Sequence, residues 1–229
     1  MFNITYLVTV YNEVETVEKA INDVINLKYP HKEILVIDNG STDGSQKIIK
    51  KFKGIKKILK KKNFGVGNSI IEGIKKAKGK YIYTQHADLE YDHLRSLYML
   101  KYAEKNKLDV VFATRLKKKD LILKKIIKKP AYLATIICTF LINKFYGKEF
   151  NDIIGVKLYR KSSLIQIPLN CKNTGFEFYS VSKFCKLNLK IGEVFIKYKP
   201  REKGEKKIKF YHIIIAIYQI IKVKFFNFN

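Results

Sequence analysis

The 229-residue sequence has few acidic residues: 20 Asp and Glu stand against 46 Lys and Arg, which gives a formal net charge of +26. A surface of this charge attracts polyanions, so the candidate partners are nucleic acid, an anionic membrane and phosphorylated substrates. The lysines are spread along the whole chain, however, and a general compositional bias accounts for the charge equally well. Charge by itself therefore selects no function.

Cysteines and long apolar runs are also scarce. The three cysteines are odd in number and form no Cys-x-x-Cys pair, which argues against a disulfide framework or a zinc site and favours a reducing compartment. No basic segment followed by an apolar run opens the chain, so we expect no signal peptide. The apolar stretch 131–142 is shorter than the roughly 20 residues that span a bilayer, and lysines interrupt the stretch 210–226.

What the sequence does have is an alternation of short β-branched runs with helical patterns. Residues 4–10, 33–37, 80–84 and 110–113 are typical of strands buried on both faces, and residues 153–159 and 192–198 repeat the pattern. Asn12, with Glu15 three residues later, predicts a capped helix start. The alternation predicts an α/β fold with a mostly parallel sheet flanked by helices. Ligands bind such sheets beyond the carboxyl ends of the strands.

Two polar segments follow predicted strands. Residues 38–44, Asp-Asn-Gly-Ser-Thr-Asp-Gly, suit recognition of a base or ribose, because Asp38 accepts hydrogen bonds from imide groups and hydroxyls. A simple strand-to-helix turn explains that segment too. Residues 84–92 place His86, Asp88 and Glu90 at a strand end, and these hard ligands suit a divalent cation that bridges a diphosphate.

A glycine-rich turn at residues 63–68 lacks the third glycine of a dinucleotide fingerprint, and no acidic ribose ligand follows at a suitable distance. We therefore exclude a Rossmann dehydrogenase. The turn either lets the backbone approach a sugar nucleotide or only begins a helix.

Residues 8–13, 35–44, 63–67 and 86–90 together resemble the family 2 glycosyltransferases of the GT-A fold in order and spacing. Residues 113–115, 151–160 and 175–178 look like the polyprenyl-phosphate branch of that family, which is similar to dolichyl-phosphate mannose synthase. Residues 201–207 resemble the basic loop of that branch. The resemblance implies a catalytic domain over residues 1–209, followed by an amphipathic helix over residues 210–229.

The resemblance also implies a reaction: inverting transfer of a hexose from a UDP- or GDP-linked sugar to a polyprenyl phosphate, with Mn²⁺ or Mg²⁺ as cofactor. The implied catalytic residues are Asp88, Arg115 and Glu177. Implied nucleotide-sugar contacts are Thr9, Tyr11, Glu13, Asp38, Gly65, Ala87 and Asp88; implied metal ligands are His86, Asp88 and Glu90; and implied acceptor or phosphate contacts are Arg115, Asp152, Arg201 and Lys207.

The chain departs from the family pattern at two chemically important positions. His86 stands where the family has the first Asp of its Asp-x-Asp motif, which removes one negative charge from the metal site. Asn39 stands where the family often has a second Asp, and this leaves Asp38 as the expected nucleotide contact. The His86 change also keeps an inactive homologue among the alternatives.

A second acceptor class is a saccharide hydroxyl, as in the synthesis of glycans or cell-envelope polysaccharides. Such an acceptor needs a carboxylate general base, a role that suits Glu177. A basic nucleic-acid-binding protein is a third alternative, but no binding module is recognisable, and we expect no nucleic acid partner. The sequence does not indicate an oligomeric state.

The apolar helix 131–145 and the tail 210–226 suggest peripheral contact with an anionic membrane. Apolar residues of the tail fall largely on one helical face, and flanking lysines favour anionic lipid. We therefore expect the protein at the cytoplasmic face of a membrane. Packing of both helices on the core is the alternative.

Overall fold

The computed structural model of the chain describes residues 2–115, 130–199 and 211–226. Within these residues the chain forms one sheet with helices on both faces. The strands are β1 (Ile4–Val10), β2 (Lys32–Asp38), β3 (Lys56–Leu59), β4 (Tyr81–His86), β5 (Val110–Thr114), β6 (Lys157–Arg160) and β7 (Ile191–Phe195). The helices are α1 (Val17–Ile25), α2 (Ser45–Lys51), α3 (Val66–Lys76), α4 (Arg95–Lys105), α5 (Pro130–Tyr146), α6 (Lys161–Leu164), α7 (Phe176–Lys186) and α8 (Tyr211–Phe225).

The strands lie in the order β3-β2-β1-β4-β6-β5-β7. The strand pairs are parallel, except that β6 runs antiparallel to both β4 and β5. The predicted mostly parallel α/β sheet is therefore confirmed. Because β1, β2 and β4 are parallel neighbours, their carboxyl ends meet at one edge of the sheet.

Alternate residues of each strand point to opposite faces of the sheet and form two apolar cores, one on each face. Leu7, Ile82 and Phe112 pack on one face beneath α3, α5, α7 and α8. Tyr6 and Val8 pack on the other face beneath α1, α2 and α4. The sheet is thus covered on both sides, as its parallel strands require.

The predicted helix cap at Asn12 is wrong. Helix α1 begins at Val17 after Thr16, and Asn12 instead has a left-handed backbone with a φ of 51°. Asparagine tolerates this conformation better than most residues. Its Oδ1 accepts the Thr42 N–H at 2.9 Å, so the side chain joins the loop after β1 to the loop after β2.

Strand β6 begins four residues later than the predicted start at residue 153. The preceding residues form a turn in which the Ile154 N–H donates to Asp152 Oδ1 at 2.9 Å. Gly155 then passes so close to β5 that an added Cβ would lie 1.6 Å from the Ala113 carbonyl oxygen. The close approach requires glycine there, and regular pairing starts only beyond it.

Helix α8 packs one face on α7 and α5 through the buried residues Ala216, Ile220 and Val223. The opposite face is exposed. None of the helices in the described parts of the chain is both long and apolar enough to cross a membrane.

Candidate active site

The ends of β1 and β4 bring Thr9 and His86 together. The two residues are register partners in the parallel pair, and Thr9 Oγ1 lies 2.8 Å from His86 Nδ1. The Ala87 N–H continues the pairing by donating to the Thr9 carbonyl at 3.2 Å. The imidazole is therefore fixed by a hydroxyl on the neighbouring strand.

The loop after β4 turns sharply at Asp88. Its Oδ1 accepts the Glu90 N–H at 3.2 Å, and Leu89 between them has a φ of 59°. A left-handed leucine is strained and persists only where the surroundings enforce it. The Lys199 N–H enforces it from the other side by donating to the Glu90 carbonyl at 2.9 Å. The partly exposed Asp88 carboxylate is thus presented on a tightly held turn.

The metal ligands predicted from the sequence do not form a closed site. No group of three or more His, Cys, Asp or Glu side chains in the described part of the chain is arranged to hold a metal ion. One carboxylate beside one imidazole nevertheless fits a cation that also takes oxygen ligands from a bound diphosphate, because Mg²⁺ and Mn²⁺ commonly bind in this way. The assignment of His86, Asp88 and Glu90 as ligands of such a cation stays a prediction.

Asp38 is fully buried at the end of β2, and its carboxylate holds the following turn. Oδ1 accepts the N–H groups of Gly40 at 3.0 Å and Ser41 at 2.9 Å and the Gln46 amide at 2.6 Å. Oδ2 accepts the Ser41 hydroxyl. Both oxygens are therefore engaged within the protein, and the nucleotide contact assigned to Asp38 stays a prediction.

Asn39 and Asn63 connect this turn to the glycine turn, an arrangement that the sequence did not indicate. Asn39 Nδ2 donates to Asn63 Oδ1 at 2.7 Å, and Asn39 Oδ1 accepts the Phe64 N–H at 3.2 Å. Gly65 caps α3 with a φ of 89°, and a Cβ there would lie 2.3 Å from the Lys172 carbonyl oxygen. The turn therefore begins a helix and also approaches another backbone segment.

Two further predicted contacts lie on the loop after β1. Tyr11 is partly exposed, whereas Glu13 is buried and its N–H donates to Ser45 Oγ at 3.0 Å. Only Tyr11 of this pair presents appreciable surface at the edge of the sheet. Arg201 and Lys207, both predicted phosphate contacts, lie outside the described residues.

Arg115 and Asp152 form an ion pair beyond the end of β5. Arg115 Nε lies 2.6 Å from Asp152 Oδ2, and Nη2 lies 3.2 Å from Oδ1. The guanidinium carbon also sits 5.4 Å from the centre of the Tyr198 ring. Asp152 is fully buried, so the arginine neutralises a carboxylate that would otherwise be very unfavourable there.

Glu193 binds the loop that carries Asp152. Its carboxylate accepts the N–H groups of Asn151 at 2.9 Å and Asp152 at 3.3 Å. Burial raises the pKa of Glu193, and the hydrogen bonds from Asn151 and Asp152 oppose that shift. The loop that carries Asp152 is therefore fixed from two sides.

Glu177, the candidate base, lies in the first turn of α7 and pairs with Lys157 of β6. The sequence did not single out Lys157, which lies among many other lysines. Its position inside a predicted buried strand indicates an ion pair, because a buried ammonium needs a partner. The structure thus brings a second charge pair to the same end of the sheet.

Comparison with known proteins identifies this architecture. Residues 5–167 match the family described as Glycosyl transferase family 2. The chain belongs to glycosyl transferase family 2. The poly-β-1,6-N-acetyl-D-glucosamine synthase of Staphylococcus epidermidis is 34% identical over 204 residues, which are 86% of this chain and 48% of that protein. The same enzyme of Staphylococcus aureus (strain COL) is 33% identical over 170 residues, 72% of this chain and 41% of that protein. This chain therefore spans about half the length of the curated relatives it matches.

Solved structures of related fold place the chain in the GT-A class. Glucosyl-3-phosphoglycerate synthase from Mycobacterium tuberculosis, with Mn²⁺, UDP-glucose and phosphoglyceric acid, has a TM-score of 0.76 at 16% identity, covering 97% of this chain and 79% of that chain. S. aureus TarS 1–349 with UDP-GlcNAc has a TM-score of 0.64 at 18% identity, covering 99% and 68%. The predicted GT-A fold is confirmed.

Proposed function

We propose that this chain transfers a hexose from a nucleoside-diphosphate sugar to a hydroxyl group of a saccharide, with inversion at the anomeric carbon. The staphylococcal relatives are named for a synthase of poly-β-1,6-N-acetyl-D-glucosamine, and TarS was solved with UDP-GlcNAc. These names support a UDP-linked N-acetylhexosamine as the first donor to test. They also favour the saccharide acceptor over the polyprenyl phosphate expected from the resemblance.

The Arg115–Asp152 pair is the observation that carries the choice of acceptor. A phosphate acceptor needs net positive charge, and Arg115 was the described residue expected to supply it. Its Nε and Nη2 atoms both bind Asp152, so the pair as a whole is neutral. A neutral pair suits an uncharged hydroxyl acceptor better than an anionic one, because the pair itself contributes no excess charge that would attract an anion.

Glu177 is the proposed general base. The acceptor oxygen attacks the anomeric carbon, the bond from that carbon to the diphosphate oxygen breaks, and the acceptor proton passes to the Glu177 carboxylate. The nucleoside diphosphate departs with the bonding electrons. A divalent cation bound through Asp88, with His86 beside it, would neutralise the departing diphosphate.

A donor and acceptor screen tests the proposal. The full chain with Mn²⁺ would be given UDP-GlcNAc, UDP-glucose or a GDP-linked hexose, together with either β-1,6-linked glucosamine oligosaccharides or a polyprenyl phosphate. We expect a lengthened oligosaccharide by mass spectrometry, and about a 100-fold loss with Asp88→Asn, in the range seen when a metal site is weakened. Transfer to the polyprenyl phosphate alone would contradict the proposed acceptor, and an absence of any transfer would favour an inactive homologue.

Peripheral contact with a membrane also stays a proposal. Residues of α8 spaced by three or four positions form an exposed apolar stripe, which supports it: Tyr211, Ile214, Tyr218, Ile221 and Phe225. The Lys222 ammonium lies 5.8 Å from the centre of the Tyr218 ring, so cationic charge borders the stripe. We expect the protein to bind phosphatidylglycerol vesicles but not phosphatidylcholine vesicles. Binding to neither kind of vesicle would contradict the proposal.

A further inference from the structure

The Lys157 side chain is fully buried on the face of the sheet that carries α7. Its ammonium donates to the Gly155 carbonyl at 3.0 Å and to the Glu177 carboxylate. It also lies 5.4 Å from the centre of the Phe112 ring. A buried ammonium is very unfavourable unless it is paired and hydrogen-bonded. These three contacts account for its stability, and they fix its position.

Glu177 is bound by this lysine through Oε2 only. Within the described ranges no second hydrogen-bond donor reaches the carboxylate, and the side chain is 20% exposed. Glu177 stands in the first turn of α7, where the helix dipole favours a negative charge. One oxygen is therefore anchored inside the protein while the carboxylate still reaches solvent.

The pair lies close to the Thr9–His86 end of the sheet. Thr84 Oγ1 is hydrogen-bonded to both the N–H and the carbonyl of Lys157, at 3.2 and 3.3 Å. His86 is two residues beyond Thr84 on β4, so it lies on the same face of the sheet and about 7 Å from Thr84 at the usual strand rise. Gly67 approaches the start of α7 from the other side, since an added Cβ would lie 2.8 Å from Phe176 Cβ.

We propose that Lys157 is a positioning residue that holds the Glu177 carboxylate in place and directed toward the acceptor hydroxyl. This inference rests on the proposed function, in which Glu177 accepts the proton. Lys157 itself has no exposed surface and touches no substrate. Its contribution is to fix one oxygen of the base so that the other oxygen has a defined direction.

Lys157→Met, Lys157→Arg and Lys183→Met would be compared in the full chain. Lys183 is the matched control, because it lies on the same helix, six residues beyond Glu177, with its ammonium 5.9 Å from the Tyr179 ring centre. For Lys157→Met we expect kcat to fall about tenfold or more, as for a misplaced catalytic group, with the donor KM little changed.

Three results support the positioning role together: partial rescue by Lys157→Arg, wild-type behaviour of Lys183→Met, and no added loss when Lys157→Met is combined with Glu177→Gln. A Lys157→Met enzyme with the kcat of Lys183→Met would overturn it. The carboxyl carbon-13 chemical shift of Glu177, compared between the wild type and Lys157→Met, reports the contact without any turnover. Failure of the proposed function, seen as an inactive wild type, is therefore distinguishable from failure of this inference.

Discussion

At the ends of β1, β2 and β4, which we call the β1–β4 half, short polar side chains and backbone N–H groups hold the loops. At the end of β5 and the start of β6, the β5–β6 half, two charge pairs hold them instead. Asp38 in the first half takes its hydrogen bonds from neighbours within eight residues. Asp152 and Glu177 in the second half pair with cations 37 and 20 residues away. The buried carboxylate of the first half is therefore held by local neighbours, and the carboxylates of the second half are held by cations from distant segments.

This difference predicts how each half responds to loss of one partner. A neutral hydrogen bond that is removed costs about 1 kcal/mol. A buried charge that loses its partner costs several times more, because it stays in a medium that solvates it poorly. The β5–β6 half should therefore be the more sensitive to single substitutions, and the β1–β4 half the more tolerant.

Asp152→Asn should have the largest effect. It keeps the shape of the side chain but leaves the mostly buried Arg115 without its counter-charge, and we expect the free energy of unfolding to fall by about 3 kcal/mol. Urea unfolding followed by circular dichroism measures this. Thr9→Val, which removes one hydrogen bond to His86, is the comparison from the other half and should cost about 1 kcal/mol. Equal losses in the two variants would remove the distinction between the halves.

Gly65→Ala should have an intermediate effect and tests the contact between the glycine turn of the β1–β4 half and the backbone at Lys172. The added Cβ would lie 2.3 Å from the Lys172 carbonyl oxygen at a φ of 89°, so we expect a loss of about 2 kcal/mol and weaker donor binding. Gly54 is the matched control, because it has a φ of 72° and no atom within 4 Å of an added Cβ. Gly54→Ala should cost about 1 kcal/mol, for the backbone alone. A loss for Gly65→Ala no larger than this would show that the contact with Lys172 is unimportant.

The same difference explains what could be predicted from the sequence. The strands and loops of the β1–β4 half are each formed by one continuous stretch of sequence, so sequence patterns predict them. The predicted bounds of β1 match the structure. The hydrogen-bond partners within this half were harder to predict from the sequence. The pattern placed Asn12 at a helix start, whereas its side chain binds the loop after β2, 30 residues away.

The β5–β6 half could be predicted only in part. Arg115, Asp152 and Glu177 were identified from the resemblance, but nothing in the sequence pairs them. Lys157 is one of 46 basic residues, and its burial depends on the approach of β6 to β5 at Gly155, which sequence periodicity does not encode. Contacts between distant segments are set by tertiary packing, so the charge pairs on which the proposed acceptor rests emerge only from the fold.

Asp43 gives the smallest expected effect and the clearest pH dependence. Burial alone would raise its pKa, but hydrogen bonds from the Ser45 side chain and from the Ser45 and Val14 N–H groups outweigh burial and lower the pKa below its ordinary value. A carboxyl group whose pKa is lower in the folded state stabilises the protein above its unfolded pKa, and this contribution is lost as the pH falls through the folded value. Asp43→Asn should therefore cost about 1 kcal/mol at pH 7, and the difference from the wild type should shrink below about pH 4. Urea unfolding at pH 7 and at successively lower pH measures both, and a difference that does not change with pH would mean that the carboxylate charge is irrelevant to this turn.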